Sequence, residues 1–202
     1  MTNSANTIQS IIIVGGGSAG WMTAAMLSKI LDTTQTTISL IESPAISTVS
    51  VGEASIPQLS LFNRILEIDE EDFIRQTNGT FKLGIEFIDW HQQGHAYFHP
   101  FGSYGTNMEA LPFHHFWLHQ QQQGQGQPLS AYSLATLAAK KNRFMRPEPR
   151  GNSPLSSINY AYHFDATAYA DYLQQYAIKR GVKHTVASVE AVNLNANNGY
   201  IS

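Results

Sequence analysis

The first apolar run of the chain, Ile11-Ile12-Ile13-Val14, is continuous and β-branched and ends in glycine, the pattern of a strand buried on both faces of a parallel sheet. Past the glycines the period changes. Met22, Ala25, Met26 and Ile30 fall at spacings of three and four, which predicts a helix from Trp21 to Leu31 with those residues on its buried face. Thr33 to Thr37 breaks the helix, and Ile38-Ser39-Leu40-Ile41-Glu42 is a second strand at crossover distance, so residues 11 to 42 read as one βαβ unit. The small-residue segment between Pro44 and Pro57, containing Val51-Gly52-Glu53-Ala54, reads as an ordered loop. Leu59, Phe62, Ile65 and Leu66 predict a further helix. Phe81, Leu83, Ile85 and Phe87 alternate, which predicts a strand from Phe81 toward Trp90 that loses its regularity at Ile88 and sets Lys82 on the opposite face.

Residues 91 to 119 are dense in histidine and aromatics, and QQQQGQGQ at 120 to 127 is a low-complexity tract expected on a surface loop. Lys140 to Pro154, with KKNR, three prolines and a glycine, reads as a linker or excursion outside the core. Asp165 is placed to cap a helix whose stripe is Tyr169, Tyr172, Leu173, Tyr176 and Ala177 and which Lys179, Arg180 and Gly181 close. Val182 to Leu194 then reads as a strand. Strands interleaved with helices give an α/β class.

Composition narrows the function. With 202 residues, 43% apolar and 13% charged, the chain has the makings of one globular domain rather than a disordered segment. Twelve scattered basic residues against fifteen acidic ones leave a formal charge of −3, which argues against a nucleic-acid partner. The absence of cysteine removes disulfides, thiolate metal sites and thiol nucleophiles together. The opening MTNSANTIQSIIIVGGG has no basic segment, and its apolar run is too short for a signal peptide or a membrane span, so a cytoplasmic location is expected.

The chemistry begins at Gly15-Gly16-Gly17-Ser18-Ala19-Gly20, a GxGxxG run between a strand and a helix. There Gly15 allows the tight turn, Gly17 lets backbone approach a pyrophosphate, and Gly20 permits close helix packing, while free N–H groups at the helix start stabilise phosphate charge. Glu42, 22 residues after Gly20 at the end of the second strand, is placed to accept hydrogen bonds from ribose hydroxyls. The plain alternative is a tight turn with Glu42 merely solvated. FAD and a nicotinamide present the same adenosine diphosphate to such a loop, and the loop alone does not separate them.

A second set of residues does. Gly15 to Met22, then Val51-Gly52-Glu53-Ala54-Ser55-Ile56-Pro57, Asn78-Gly79-Thr80-Phe81-Lys82, His99-Pro100-Phe101-Gly102 and Tyr162-His163-Phe164-Asp165-Ala166 follow in order along the chain. Together they resemble the N-terminal part of flavin-dependent tryptophan halogenases. The resemblance implies a Rossmann-like, flavin-monooxygenase-type FAD-binding fold, incomplete at the C-terminus. On that scheme residues 8–45 are the dinucleotide-binding βαβ unit, 46–157 the flavin loop and a substrate-side excursion, and 158–202 the return helix and strand, all within one domain part spanning 1–202.

It further implies reduced FAD supplied by a separate flavin reductase, and dioxygen and chloride or bromide that yield hypohalous acid. The acid reaches a tryptophan-like or indole-like substrate at a lysine that matches Lys82. Desolvation would lower the pKa of such a lysine, although a solvated lysine on a polar strand face is the ordinary alternative. His99 and Phe101 match positions lining the aromatic substrate. Ser18 and Ala19 join the three motif glycines at the cofactor, Glu53 and Ala54 lie in the flavin-contacting loop, and Val186 is the candidate for backbone contact with adenine. A homodimer is compatible with the family.

The family's chains are more than twice this length, and their later half carries the WxWxIP signature, a substrate-directed glutamate and the halide site. With only Trp21, Trp90 and Trp117, this chain offers no match to those features, so a fragment is expected whose open sheet edge would favour aggregation. A hydroxylating flavoprotein, in which Lys82 is incidental, and a non-catalytic FAD-binding remnant are the alternatives. Six of the eight histidines lie between 91 and 119, some spaced by four, but no acidic residue completes a ligand set and no HExxH occurs, so no metal is expected. Ser18 and Ser55 lack a GxSxG elbow, and the tyrosine stripe reads as a packed helix face.

Overall fold

In a computed structural model, which describes residues 8–45, 52–148 and 153–201, the glycine run and its flanking apolar runs fold as strand, helix and strand. These are β1 (Ser10–Val14), α1 (Ser18–Ile30) and β2 (Thr37–Glu42). There follow β3 (Gly52–Ala54), α2 (Gln58–Ile65), α3 (Glu70–Gln76), β4 (Thr80–Lys82), β5 (Gly84–Ile88), β6 (Ala96–Pro100), α4 (Phe113–Gln122) and α5 (Leu134–Lys140). The chain ends with β7 (Ala161–Asp165), α6 (Ala166–Lys179) and β8 (Lys183–Val186). Two compact units result: residues 1–53, 63–79 and 164–202 form one, and 54–62 with 80–163 the other. No helix among the described residues is long and apolar enough to cross a membrane.

In the first unit β1, β2 and β8 make a parallel sheet in that order, with Ile11 opposite Ile38 and Glu42 opposite Val186. The central strand carries the buried Ile38 and Leu40. Among the described residues β1 has a hydrogen-bonded neighbour on one side only, and Ile12 and Val14 are 43% and 61% exposed, so the burial on both faces expected of this run is not found. The inward face of α1 is also rotated from the expected one. Trp21, Ala24, Ala25 and Ser28 are buried, whereas Ile30 is exposed, because α1 packs closely on β2 and α6 and small side chains permit that approach.

Asp165 caps α6 as expected, accepting from the backbone N–H of Thr167 at 2.8 Å and of Ala168 at 3.0 Å. Of the predicted stripe, Tyr169, Leu173 and Ala177 are buried while Tyr172 and Tyr176 are half-buried. Tyr169 meets Phe73 of α3 and Phe164 edge to face, and its hydroxyl donates to Asn63 Oδ1 at 2.6 Å. The strand expected over Val182–Leu194 ends at Val186, where its partner β2 ends at Glu42.

In the second unit β4 pairs antiparallel with β7, and β5 with β6. A core of Leu83, Ala135 and Ile158 gathers Phe98, Leu134, Phe144, Leu155 and Tyr160 around it. The single strand expected from Phe81 is two strands that part at Leu83. Gly84, the first residue of β5, faces the His99 carbonyl and the Phe98 ring so closely that no side chain fits there. Gly52–Ala54 is a short strand where a loop was expected, with Val51 outside the described residues. Gln120 to Gln122 form the last turn of α4 rather than a loop, and Phe144, within the supposed excursion, stacks on Phe81 at 3.8 Å.

Candidate functional site

The glycine loop divides its work as backbone geometry requires. Gly15 turns the chain at φ +108°, a conformation that favours glycine, and its N–H donates to the Ile41 carbonyl at 2.8 Å, tying the loop to β2. A Cβ at Gly20 would collide with the carbonyl oxygen of Gly15. Gly17 is different: it is the N-cap of α1, has ordinary extended backbone, and a Cβ built there meets nothing within 4 Å. No side-chain hydrogen bond caps the helix at this point, which leaves its first N–H groups available to a ligand. An uncapped helix start beside a side-chain-free cradle fits the diphosphate of a dinucleotide. Ser18 contributes backbone here, since its hydroxyl donates to the Ala166 carbonyl at 3.3 Å, and the Ala19 carbonyl accepts from the Thr23 hydroxyl.

Glu42 stands at the carboxyl end of β2, where open α/β sheets place their ligands. It is engaged rather than solvated. Its Oε1 lies 2.6 Å from His184 Nε2 and accepts from Gln174 Nε2 at 3.4 Å, while the carboxylate overhangs Gly16, where a Cβ would strike it. Val186 is the register partner of Glu42 with its side chain 59% exposed, and the next residue, Ala187, donates its N–H to the Glu42 carbonyl at 2.9 Å.

In the second unit Lys82 occupies the last position of β4, paired with Ala161. It is only 8% exposed, so the alternative of a solvated lysine on a polar strand face is not found: β4 ends at Lys82, and the unbroken alternation that would have turned it outward does not exist. Nζ donates to the Ser55 carbonyl at 3.0 Å and lies 5.3 Å from the centre of the Phe101 ring. Among the described residues no carboxylate pairs with it. Burial pulls its pKa below the ordinary lysine value. His163 is likewise lowered, by burial and then by the charge of Lys82.

Ser55 is itself clamped to β7. Its N–H donates to the Tyr162 carbonyl at 2.9 Å, and its Oγ accepts from the Tyr162 N–H at 3.1 Å. The acceptor for Lys82 is thereby fixed by a strand rather than left on a free loop.

Comparison with known proteins bears on both sets of residues. The family model described as tryptophan halogenase matches residues 10–202. The chain belongs to the tryptophan halogenase family. The tryptophan 6-halogenase of Streptomyces toxytricini is 34% identical over 95% of this chain and 40% of its own length. The tryptophan 7-halogenase of Lentzea aerocolonigenes is 34% identical over 94% and 38%. Among solved structures, a flavin-dependent halogenase from Xanthomonas campestris superposes with a TM-score of 0.88 at 42% identity, over 96% of this chain and 38% of that one. Another, from Brevundimonas sp. BAL3, gives 0.87 at 40% identity over the same shares. The chain thus spans about two fifths of the length of the halogenases it matches, and it has their Rossmann-like α/β fold.

Within this chain, Gly15, Gly17, Ser18, Ala19, Gly20, Glu42 and Val186 lie at the ends of β1, β2 and β8 and the start of α1. Lys82 and Phe101 meet in the second unit. His99 lies on β6 opposite Ile85 with its side chain exposed, and Glu53 and Ala54 lie exposed on β3. Ser55, His163, Gln174 and His184 were not singled out for these roles by sequence. His184 and Gln174 sit on a strand and a helix more than 130 residues from Glu42, and the register of β8 on β2 brings His184 to it while Gln174 reaches it from α6. Among the described residues no group of three or more histidine, aspartate or glutamate side chains could hold a metal.

Proposed function

We propose that the protein acts in FAD-dependent halogenation of an aromatic, tryptophan-like or indole-like substrate, with Lys82 as the catalytic residue. The observation that carries this reading is the burial of Lys82, an amine held by one carbonyl and one aromatic face, with no carboxylate partner among the described residues. Reduced FAD, delivered by a separate flavin reductase, supplies when bound the electrons by which dioxygen and chloride or bromide become hypohalous acid. Gly15, Gly17 and Gly20 with the N–H groups at the start of α1 would hold the diphosphate, Glu42 the ribose, the backbone at Val186 the adenine, and Glu53 and Ala54 the flavin side.

Desolvation raises the neutral fraction of the Lys82 amine above that of a surface lysine. Such an amine either hydrogen-bonds the hypohalous acid or attacks its halogen, breaking the oxygen–halogen bond to give a haloamine while the hydroxyl leaves as water with an amine proton, and in both cases it aims the halogen from a fixed point. The clamped Ser55 carbonyl supplies that fixed point, and Phe101 provides a flat face against which an aromatic ring can lie. His99 would line the same substrate.

The test is Lys82→Met, which keeps the length and apolar stem of the side chain. With FAD, a flavin reductase, halide and tryptophan present, halogenated product should fall below about one hundredth of the wild-type level while flavin reoxidation continues unchanged. Halogenation at the wild-type rate would overturn the assignment and favour oxygenase chemistry in which Lys82 has no part.

A further inference from the structure

The residues around Glu42 form a closed polar set that the glycine motif does not require. In the parallel pairing of β2 with β8, Leu40 is opposite His184 and Glu42 opposite Val186, so residues 40, 42, 184 and 186 share one face and His184 reaches Glu42 diagonally. His184 Nε2 lies 2.6 Å from Glu42 Oε1. Gln174, from α6, donates to the same oxygen at 3.4 Å and lies 3.5 Å from His184 Nδ1. One proton arrangement satisfies all three side chains: Nε2–H donates to the carboxylate, and the Gln174 amide donates to both Oε1 and Nδ1. The buried Trp21 ring meets the imidazole edge-on with centres 5.2 Å apart and fixes its plane.

We infer that His184 is a positioning residue for the cofactor: it locks the Glu42 carboxylate so that Oε1 is taken and Oε2 is left for a ribose hydroxyl. This rests on the FAD reading given above. A free glutamate would lose rotamer freedom on binding, whereas one already held by His184 and Gln174 does not. Gly16, a variable position of GxGxxG, belongs to the same packing: a Cβ there would strike Glu42 Cβ as well as the carboxylate, so glycine at this position follows from the close approach of the Glu42 side chain.

The experiment measures FAD dissociation constants by equilibrium dialysis for the wild type, His184→Ala, His184→Gln, Glu42→Ala and the Glu42→Ala/His184→Ala pair. Circular dichroism melts on each sample establish that it is folded. Wild-type protein should bind FAD, His184→Ala should bind about tenfold more weakly, and His184→Gln, which keeps a donor near the Nε2 position, should recover most of the loss. In the Glu42→Ala background, removing His184 should cost nothing more. Should His184→Ala misfold, the folded His184→Gln variant and its pairing with Glu42→Ala decide the same question. Equal affinity of wild type and His184→Ala, or an undiminished effect of His184→Ala without Glu42, would overturn the positioning role while leaving the FAD reading intact. Failure of the folded wild type to bind FAD would overturn the FAD reading itself.

Discussion

Replacing Gly17 with alanine separates the cradle from the fold. Gly17 has φ −72° and ψ 179°, which alanine adopts freely, and the added methyl group meets no atom within 4 Å. Two small effects on stability oppose each other: the unfolded chain loses freedom, a gain of about 0.4–1 kcal/mol, and alanine is a poorer N-cap than glycine, a loss of about 0.5–1 kcal/mol. The net change should lie within about 0.5 kcal/mol, or roughly 2 °C in Tm for a chain of this size. Binding should respond far more strongly. A methyl group in the cradle holds the diphosphate away from the helix N–H groups, and one lost charge-assisted hydrogen bond is worth about 1.5–3 kcal/mol, or roughly ten- to a hundredfold in affinity.

Thermal melts and an FAD titration on the same samples make the comparison. Gly20→Ala is the control, because its Cβ meets the Gly15 carbonyl and should cost about 2 kcal/mol, roughly 4–8 °C. A Gly17→Ala protein that melts like wild type and binds FAD equally well would refute the cradle. One that loses many degrees would refute the claim that the space is open.

Two further changes probe the frame that carries the site. Asp165→Ala removes both cap bonds of α6 and should cost about 1–2 kcal/mol, roughly 2–8 °C in a melt; an unchanged Tm would contradict the cap. The Tyr172 phenol donates to Asp72 Oδ2 at 2.9 Å, and burial, that bond and the charges of Asp72 and Asp69 push its pKa up to about 12. A raised folded-state pKa means that this stabilisation is complete below pH 10 and is lost as pH rises from about 10 to about 12. Tyr172→Phe should therefore flatten the loss of stability in that window, measured by urea unfolding, and an unaltered pH profile would contradict the contact.

The first βαβ unit was legible in the sequence because its signals are local: a β-branched run, a glycine turn and a second run at crossover distance are each read from neighbouring residues. The inward face of α1 was misread because periodicity weights large apolar side chains, whereas the close approach to β2 and α6 is made by Ala24, Ala25 and Ser28. The burial of Lys82 was not legible by pattern, since alternation assumes an unbroken strand and β4 stops at that residue. α3 escaped notice for a different reason. It is short, acidic and carries one buried residue in its span, Phe73, so its signal lies in the Asp69 cap rather than in a stripe. The contacts of Ser55 with Tyr162 and of His184 with Glu42 join residues more than 100 apart, and no local spacing encodes them.

The edge contact between Trp21 and His184 gives the cradle an optical reporter of its own. Trp21 is buried with its ring edge against the imidazole that contacts Glu42, whereas Trp90 is 75% exposed, so the two should emit at different wavelengths. With Trp90 and Trp117 replaced by phenylalanine, the remaining indole would follow the state of the Glu42–His184 pair directly.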